Sequence, residues 1–272
     1  MIRFSCFADE IAPGLGDQMR VLHELGLRFL EIRTVDDVNV MDLSPEALRT
    51  VRRTCDGSGL TITCVSSPIG KERADLPAAK AVADVEHAAD IADVFGCRHI
   101  RVFSFFRREL PGEEAYRMSL SKLRAMAAAA EERGKVLVME SGADTVGARS
   151  ADMLRLLQET DSPALACAFD PAAFFAAGDE PFVESLPTLE SYIQYVHVKD
   201  VRRGQPGRVP AGEGDARIRK IVSALKDRDL TFSLEPHLSY AGERRGFSGE
   251  DGFKRAHAAF VTILKEQNVA YE

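Results

Sequence analysis

The sequence lacks the features that mark disulfide-built, thiolate-metal and membrane proteins. Its five cysteines are scattered along the chain, and no two of them stand at the Cys-x-x-Cys spacing. This distribution argues against a disulfide framework and against a zinc site built from thiolates. No apolar run approaches the roughly 20 residues that a helix needs to cross a bilayer, so we expect no membrane segment.

Targeting and linker segments are also missing. The N-terminal residues Met1–Ser5 are not a charged region followed by a long apolar stretch, so we expect no signal peptide. Together with the unpaired cysteines, this predicts a protein of the reducing cytoplasm. No charge run and no Pro/Gly-rich linker divides the chain, so we expect residues 1–272 to form a single domain.

Basic charge is in short supply relative to acidic charge. The chain has 35 Lys and Arg residues against 42 Asp and Glu residues, a formal net charge of -7. An acidic surface repels the phosphates of nucleic acids, so we expect no nucleic-acid partner. A length of 272 residues with 45% hydrophobic and 28% charged residues suits one large soluble α/β domain.

What the sequence does have is a regular alternation of short apolar runs and longer amphipathic stretches. Eight runs predict strands, at residues 2–6, 29–33, 62–66, 100–104, 136–140, 165–170, 195–199 and 231–235. The stretches between them predict helices. In one of them, Tyr116, Leu120 and Leu123 recur at helical spacing, and Ser44-Pro45 is a typical helix start.

Eight strands that alternate with helices indicate parallel βαβ units. Such a sheet either closes into a barrel or stays open and doubly wound. The count of eight favours the barrel, and so does the lack of a G-x-G-x-x-G motif after the first strand. We therefore predict an α/β fold of the (β/α)8 TIM-barrel type.

Polar groups that bind metals end four successive predicted strands. Glu140, Asp170 and Glu235 close the fifth, sixth and eighth strands, and His197 lies near the end of the seventh. In a parallel barrel these ends open on one face, so the four side chains converge. Three carboxylates in a poorly solvated place repel one another, and a divalent cation removes that repulsion. Oxygen-rich ligation with one imidazole suits Mn²⁺ first, and also Mg²⁺, Co²⁺ or Zn²⁺.

Several segments, spread through most of the chain, also carry a family resemblance. They are Ser67–Lys71, Arg101–Phe106, Phe169–Ala172, Val196–Asp200, Val209–Asp215 and Ser233–His237. In these segments the chain resembles the sugar phosphate isomerase/epimerase group of the xylose isomerase-like TIM barrels. The resemblance implies a barrel with one divalent metal ion held by a Glu, an Asp, a His and a Glu. Those four positions match Glu140, Asp170, His197 and Glu235 one by one.

The predicted activity is isomerisation or epimerisation of a sugar, a sugar phosphate or a cyclitol ketone. A metal ion polarises the carbonyl and stabilises an enediolate, and Glu140 and Glu235 form the acid/base pair. The chain departs from many relatives at Ser141-Gly142, where they have Asn-Glu, and at Ala173, where they have Asn. These departures leave the metal ligands intact and affect the choice of substrate.

Four further residues are candidates for substrate binding. Lys199 and His237 lie two residues after His197 and Glu235, and therefore on the same strand faces. Each of them either contacts the substrate or pairs with a ligand carboxylate. Glu213 stands between two glycines in the longest predicted loop, which also carries Arg203. Their alternative role is that of solvated loop residues.

Other functions remain open at this stage. A metal-dependent lyase that dehydrates a cyclic keto acid or keto sugar needs the same enolate and hence the same ligands. A non-catalytic barrel that binds a sugar is a further alternative, which the departures at Ser141, Gly142 and Ala173 motivate. A DNA-repair endonuclease is disfavoured by the net charge and by the small number of histidines. The expected partners are a small carbohydrate substrate and, as an option, a second copy of the chain in a homodimer.

Overall fold

The computed structural model describes residues 1–239 and 247–272. Strands β1 to β10 are, in chain order, Arg3–Cys6, Phe29–Ile32, Thr34–Val35, Val38–Asn39, Thr61–Ser66, His99–Val102, Val136–Glu140, Leu165–Phe169, Ile193–Val198 and Thr231–Leu234. Helices α1 to α9 are, in chain order, Leu15–Glu24, Pro45–Gly57, Ala78–Phe95, Gly112–Glu132, Ser150–Thr160, Pro171–Ala176, Leu186–Leu189, Ile218–Leu225 and Gly249–Glu266. All eight predicted strands are present, each within two residues of its predicted bounds.

Eight of the strands form one sheet, in the order β1-β10-β9-β8-β7-β6-β5-β2. Its neighbours pair in parallel, with Phe4 opposite Phe232 and Met139 opposite Cys167. A parallel bridge between Phe7 and Glu31 connects the first and last strands of this order. Such pairing is expected when a helix follows nearly every strand and returns the chain to the same edge.

The two remaining strands, β3 and β4, form a short antiparallel hairpin that the sequence pattern did not reveal. Its turn residues Asp36 and Asp37 both have positive φ angles, 52° and 62°. Aspartate tolerates this left-handed backbone better than most residues, which explains a tight turn without glycine.

The chain forms two compact units. The first consists of Met1–Thr63 and Tyr195–Glu272, and the second of Cys64–Gln194. In the first, the ring of Phe4 packs edge-on against Phe260 of α9, with 5.1 Å between centroids. The second contains four consecutive paired strands, β5 to β8, with α3 and α4 packed against each other. The expected single domain stays a prediction.

Helix boundaries follow the signals in the sequence. The hydroxyl oxygen of Ser44 accepts a hydrogen bond from the Ala47 N–H, and Pro45 is the first residue of α2. Four glycines just before strands all adopt positive φ angles, which glycine does without strain: Gly26, Gly59, Gly96 and Gly134.

Backbone hydrogen bonds join the loops of the second unit at the carboxyl ends of its strands. Phe103 and Phe105 donate to the carbonyls of Ile69 and Gly70 at 2.8 and 2.9 Å. A Cβ atom on Gly70 would lie 2.0 Å from the carbonyl oxygen of Phe103, so only glycine fits there. Residues 68–71 therefore hold the backbone that follows β6 in place by hydrogen bonds.

Two expected absences concern the described part of the chain. All five cysteines lie in the described residues, where they are buried and form no disulfide, as their scattered spacing predicted. Within residues 1–239 and 247–272, no helix is both long enough and apolar enough to pass through a bilayer.

Candidate metal centre

The four residues predicted to hold a metal are all buried. Glu140 is the last residue of β7, Asp170 and Glu235 directly follow β8 and β10, and His197 is the fifth residue of β9. Each offers one ligand atom, and these atoms all lie within 4.8 Å of one another. Side chains from distant parts of the sequence are thus close enough to share one ion.

Glu140 is held by a buried cation. The Nη1 atom of Arg101 lies 3.2 Å from Oε2 of Glu140, and both side chains are about one-twentieth exposed. The Arg101 guanidinium also stacks over the Phe103 ring, 5.0 Å from its centroid. Breaking such a buried pair by removing one partner is costly, so Arg101 helps to hold Glu140 in position.

Asp170 has a structural task in addition to its candidate role as ligand. Its Oδ1 atom accepts hydrogen bonds from the N–H groups of Ala172 and Ala173 at 3.0 and 3.1 Å. It is therefore the N-cap of α6, whose first residue is Pro171. Capping uses one carboxylate oxygen and orients the side chain at the end of β8.

His197 lies between two carboxylates of its own unit. Its Nε2 atom is 3.3 Å from Oε2 of Glu31, and its Nδ1 atom is 3.5 Å from Oε2 of Glu235. The rings of Phe7 and Tyr195 pack edge-on against the imidazole. A carboxylate beside one nitrogen commonly orients a histidine so that the other nitrogen faces a metal. In His197, Glu31 lies beside Nε2, so Nδ1 is the nitrogen that would face a metal ion.

Glu235 has basic neighbours at both of its oxygens. Nη1 of Arg33 and Nε2 of His237 lie 3.1 and 3.2 Å from Oε1. Nζ of Lys199 lies 2.7 Å from Oε2. Burial by itself would raise the pKa of Glu235, but Lys199 and His237 outweigh burial and hold the pKa well below its ordinary value.

Arg33 is itself firmly anchored. Its Nε and Nη2 atoms donate to the two oxygens of Asp9 at 2.7 and 3.2 Å, a two-point contact that fixes the guanidinium plane. The guanidinium also lies 4.8 Å from the centroid of the Phe7 ring. Asp9 and Glu235 keep the pKa of Arg33 high in spite of its burial.

A second cluster surrounds His237. The His237 N–H and the Ser248 hydroxyl both donate to Oε2 of Glu10, at 2.8 and 2.6 Å. The imidazole Nε2 lies 3.3 Å from Oε1 of Glu10. Burial raises the pKa of Glu10 well above its ordinary value and lowers that of His237. Glu10, Glu235 and His237 also offer atoms within 4.8 Å of one another.

The four candidates for substrate binding fall into two pairs. Lys199 and His237 both contact the Glu235 carboxylate, which is the pairing that their positions two residues beyond the ligands allowed. Glu213 and Arg203 are exposed in the loop between β9 and α8. Their contribution to substrate binding stays a prediction.

Sequence analysis missed five residues around these carboxylates: Asp9, Glu10, Glu31, Arg33 and Arg101. The sequence contains a feature that could have identified three of them. Glu31, Arg33 and Arg101 are charged residues inside otherwise apolar predicted strands, where a charge needs a buried partner. Asp9 and Glu10 lie three and four residues after the first strand, at the same end where the ligands stand. No local pattern reveals which carboxylate each cation contacts.

Solved structures share this fold over nearly the whole chain. They include the probable 3-DHS dehydratase AsbF of Bacillus anthracis, 20% identical with a TM-score of 0.76, covering 96% of this chain and 99% of that one. An L-ribulose 3-epimerase is 17% identical with a TM-score of 0.77, covering 98% and 96%. The IOLI protein, solved with a zinc atom, is 16% identical with a TM-score of 0.78, covering 97% and 99%.

Identities this low show the fold alone. No curated protein sequence matches the chain. The family model described as xylose isomerase-like TIM barrel matches residues 19–260, which is most of the sequence. The predicted (β/α)8 barrel and the predicted resemblance are thereby confirmed: the chain belongs to the xylose isomerase-like TIM barrel family.

Proposed function

We propose that the protein is a divalent-metal-dependent isomerase or epimerase that acts on a sugar, a sugar phosphate or a cyclitol ketone. The observation that carries the proposal is the buried group of three carboxylates and one imidazole, whose ligand atoms lie within 4.8 Å of one another. Relatives in fold include an L-ribulose 3-epimerase, which is consistent with this chemistry.

The donor set fits one hard or borderline divalent ion. Oxygen and nitrogen ligands stand about 2.0–2.2 Å from such an ion, so opposite ligand atoms lie up to about 4.4 Å apart. The separations among Glu140, Asp170, His197 and Glu235 have this scale. Three carboxylates favour Mn²⁺ over a soft metal, with Mg²⁺, Co²⁺ and Zn²⁺ as the other candidates.

Glu140 and Glu235 would hold the ion and also exchange protons with the substrate. A bound divalent ion would polarise the substrate carbonyl and stabilise negative charge on its oxygen. Arg101, 3.2 Å from Oε2 of Glu140, would hold that carboxylate in place. Glu140 and Glu235 form the acid/base pair of the proposal: one of them would remove a proton from carbon, and the other, or the same one, would return it.

Lys199 adds a proton donor on the Glu235 side. Its ammonium lies 2.7 Å from Oε2 of Glu235 in a buried position. Proton return to the opposite face of the same carbon gives an epimer, and return to the neighbouring carbon gives the aldose or ketose isomer. The same donor favours a second candidate, a dehydratase, because a leaving hydroxyl group needs a proton.

Solvent exchange tests the proposal directly. The Mn²⁺-loaded protein is incubated in deuterated water with ketoses, cyclitol ketones and cyclic keto acids, and the substrate protons are followed by NMR. We expect deuterium at the carbon next to the carbonyl of one substrate class. An epimer or isomer as product supports the first candidate, and a dehydrated product supports the second.

Two variants and one control assign the proton carriers. Glu140→Gln and Glu235→Gln should each slow exchange at least about a hundredfold, since general acid–base catalysis contributes that much or more. Glu132→Gln is the control, because this exposed glutamate lies at the end of α4. If both site variants keep the metal and the full exchange rate, the mechanism is wrong.

A further inference from the structure

The two oxygens of Glu235 have different surroundings. Oε1 faces Nη1 of Arg33 and Nε2 of His237, at 3.1 and 3.2 Å. Oε2 faces Nζ of Lys199 at 2.7 Å and Nδ1 of His197 at 3.5 Å. His197 is a proposed ligand, so Oε2 is the oxygen on the side of the metal centre. Oε1 is turned towards a different set of residues.

Arg33 is built to hold one fixed position. Its Nε and Nη2 atoms are both used by the Asp9 carboxylate, and its guanidinium lies over the Phe7 ring. The side chains of Arg33 and Asp9 are only 16% and 8% exposed. A planar guanidinium fixed at two points leaves Nη1 pointing in one direction, which is towards Oε1 of Glu235.

His237 reaches the same oxygen from a second anchored position. Its backbone has a φ of 50°, a left-handed conformation that is unusual outside glycine. The Glu10 carboxylate holds this conformation by accepting the His237 N–H, and the Ser248 hydroxyl donates to the same oxygen. Ser248 also accepts the Leu238 N–H at 3.0 Å. Two independent anchors therefore converge on Oε1.

We propose that Arg33, fixed by Asp9, is a positioning residue for Glu235: it holds Oε1 and so turns Oε2 towards Lys199 and the proposed ligand His197. This inference rests on the proposed function and adds to it the residue that orients one ligand. It also explains how Glu10, Glu235 and His237 can lie close together. Nη1 of Arg33 lies 3.1 Å from Oε1 of Glu235 and 3.5 Å from Nε2 of His237. A guanidinium thus supplies the positive charge there, and no second ion is needed.

The affinity for Mn²⁺ distinguishes two roles of Arg33, one in which it acts only through its charge and one in which it positions Glu235. A cation beside a metal site repels the ion, so charge alone predicts that Arg33→Gln binds Mn²⁺ more tightly. Charge alone also predicts no change for Arg33→Lys, which keeps the cation. Positioning predicts weaker binding for both variants, because neither glutamine nor lysine can contact Asp9 at two points and Glu235 at the same time.

The test measures Mn²⁺ affinity, with free Mn²⁺ detected by EPR, for the wild type and for Arg33→Lys and Arg33→Gln. We expect both variants to bind Mn²⁺ about 10- to 100-fold more weakly, the usual effect of losing a residue that orients a ligand. Asp179→Asn is the control. Asp179, itself buried, accepts from Nε of the exposed Arg149 at 2.8 Å, outside the groups that offer metal ligands. It should lower the unfolding temperature and leave the affinity unchanged.

The outcomes separate the two proposals. A wild type that binds no divalent ion contradicts the proposed function and, with it, this inference. A wild type that binds Mn²⁺ while the folded Arg33→Lys variant binds it equally well overturns the positioning role alone, as does tighter binding by Arg33→Gln. Should Arg33→Gln fail to fold, Arg33→Lys decides, since it keeps the buried positive charge opposite Asp9 and Glu235.

Discussion

Replacing Asp200 by asparagine should release the loop between β9 and α8. The carboxylate of Asp200 accepts four backbone N–H groups. Oδ1 accepts those of Val201 and Ala216 at 2.8 and 3.0 Å, and Oδ2 accepts those of Gly212 and Gly214 at 2.8 and 3.0 Å. One buried side chain thus fixes both ends of the segment that carries two of the substrate-binding candidates.

The magnitude follows from the geometry. In Asp200→Asn, one oxygen becomes an NH₂ group, which cannot accept a hydrogen bond and opposes the two N–H donors that faced that oxygen. Hydrogen bonds to charged groups contribute about 1.5–3 kcal/mol each, so losing two costs roughly 3–6 kcal/mol. The glycines are only partly buried and water replaces some of the loss, so we expect about 3 kcal/mol.

Urea denaturation and amide hydrogen exchange measure the two consequences. Asp200→Asn should lower the free energy of unfolding and speed exchange at Gly212, Gly214 and Ala216. Asp215→Asn is the control in the same loop, because Asp215 accepts the Arg203 N–H at 2.7 Å in a partly exposed position. It should cost less than about 1 kcal/mol. Unchanged exchange at the three amides in Asp200→Asn would refute the reasoning.

Three other predictions follow from single contacts. Gly70→Ala should prevent stable folding, because its Cβ would lie 2.0 Å from the Phe103 carbonyl oxygen, while Gly59→Ala, with nothing within 4 Å, should cost only about 1 kcal/mol by thermal unfolding. Burial opposes ionisation of Asp179, but its hydrogen bonds lower the pKa, so its stabilisation is present above about pH 4 and lost as the pH falls further. In acid titrations Asp179→Asn should remove that loss. Asp170→Asn should keep the cap of α6, seen as unchanged helicity in circular dichroism, yet bind Mn²⁺ at least about tenfold more weakly, since an uncharged amide replaces a ligand carboxylate.

Much of the fold was predictable because its signals are local. Each of the eight strands of the sheet is an apolar run bounded by polar or turn residues. The tendency of such a run to form a strand depends on its own residues, so it can be recognised without knowledge of its packing partners. The hairpin of Thr34–Val35 and Val38–Asn39 escaped prediction because strands of two residues have no period. The alternation of eight strands with helices predicted the barrel, and the family match confirms that prediction.

The candidate ligands were also predictable, because one general rule places the carboxyl ends of parallel strands on one face. The residues that hold those ligands were not. Glu10 and Ser248 are 238 positions apart and share a hydrogen bond of 2.6 Å, which no spacing rule reveals. Arg33 and Glu235 meet across 202 positions. Which oxygen of a ligand faces which cation depends on packing that only the folded chain defines.

The metal content of the purified protein tests the central claim most directly. The protein is loaded with Mn²⁺, freed of excess ion by gel filtration and analysed by elemental mass spectrometry. We predict one Mn²⁺ per chain for the wild type and for Glu132→Gln, and much less than one for Glu140→Gln and for a variant in which His197 is replaced by alanine. A wild type without stoichiometric metal, or site variants that retain a full equivalent, would contradict the account.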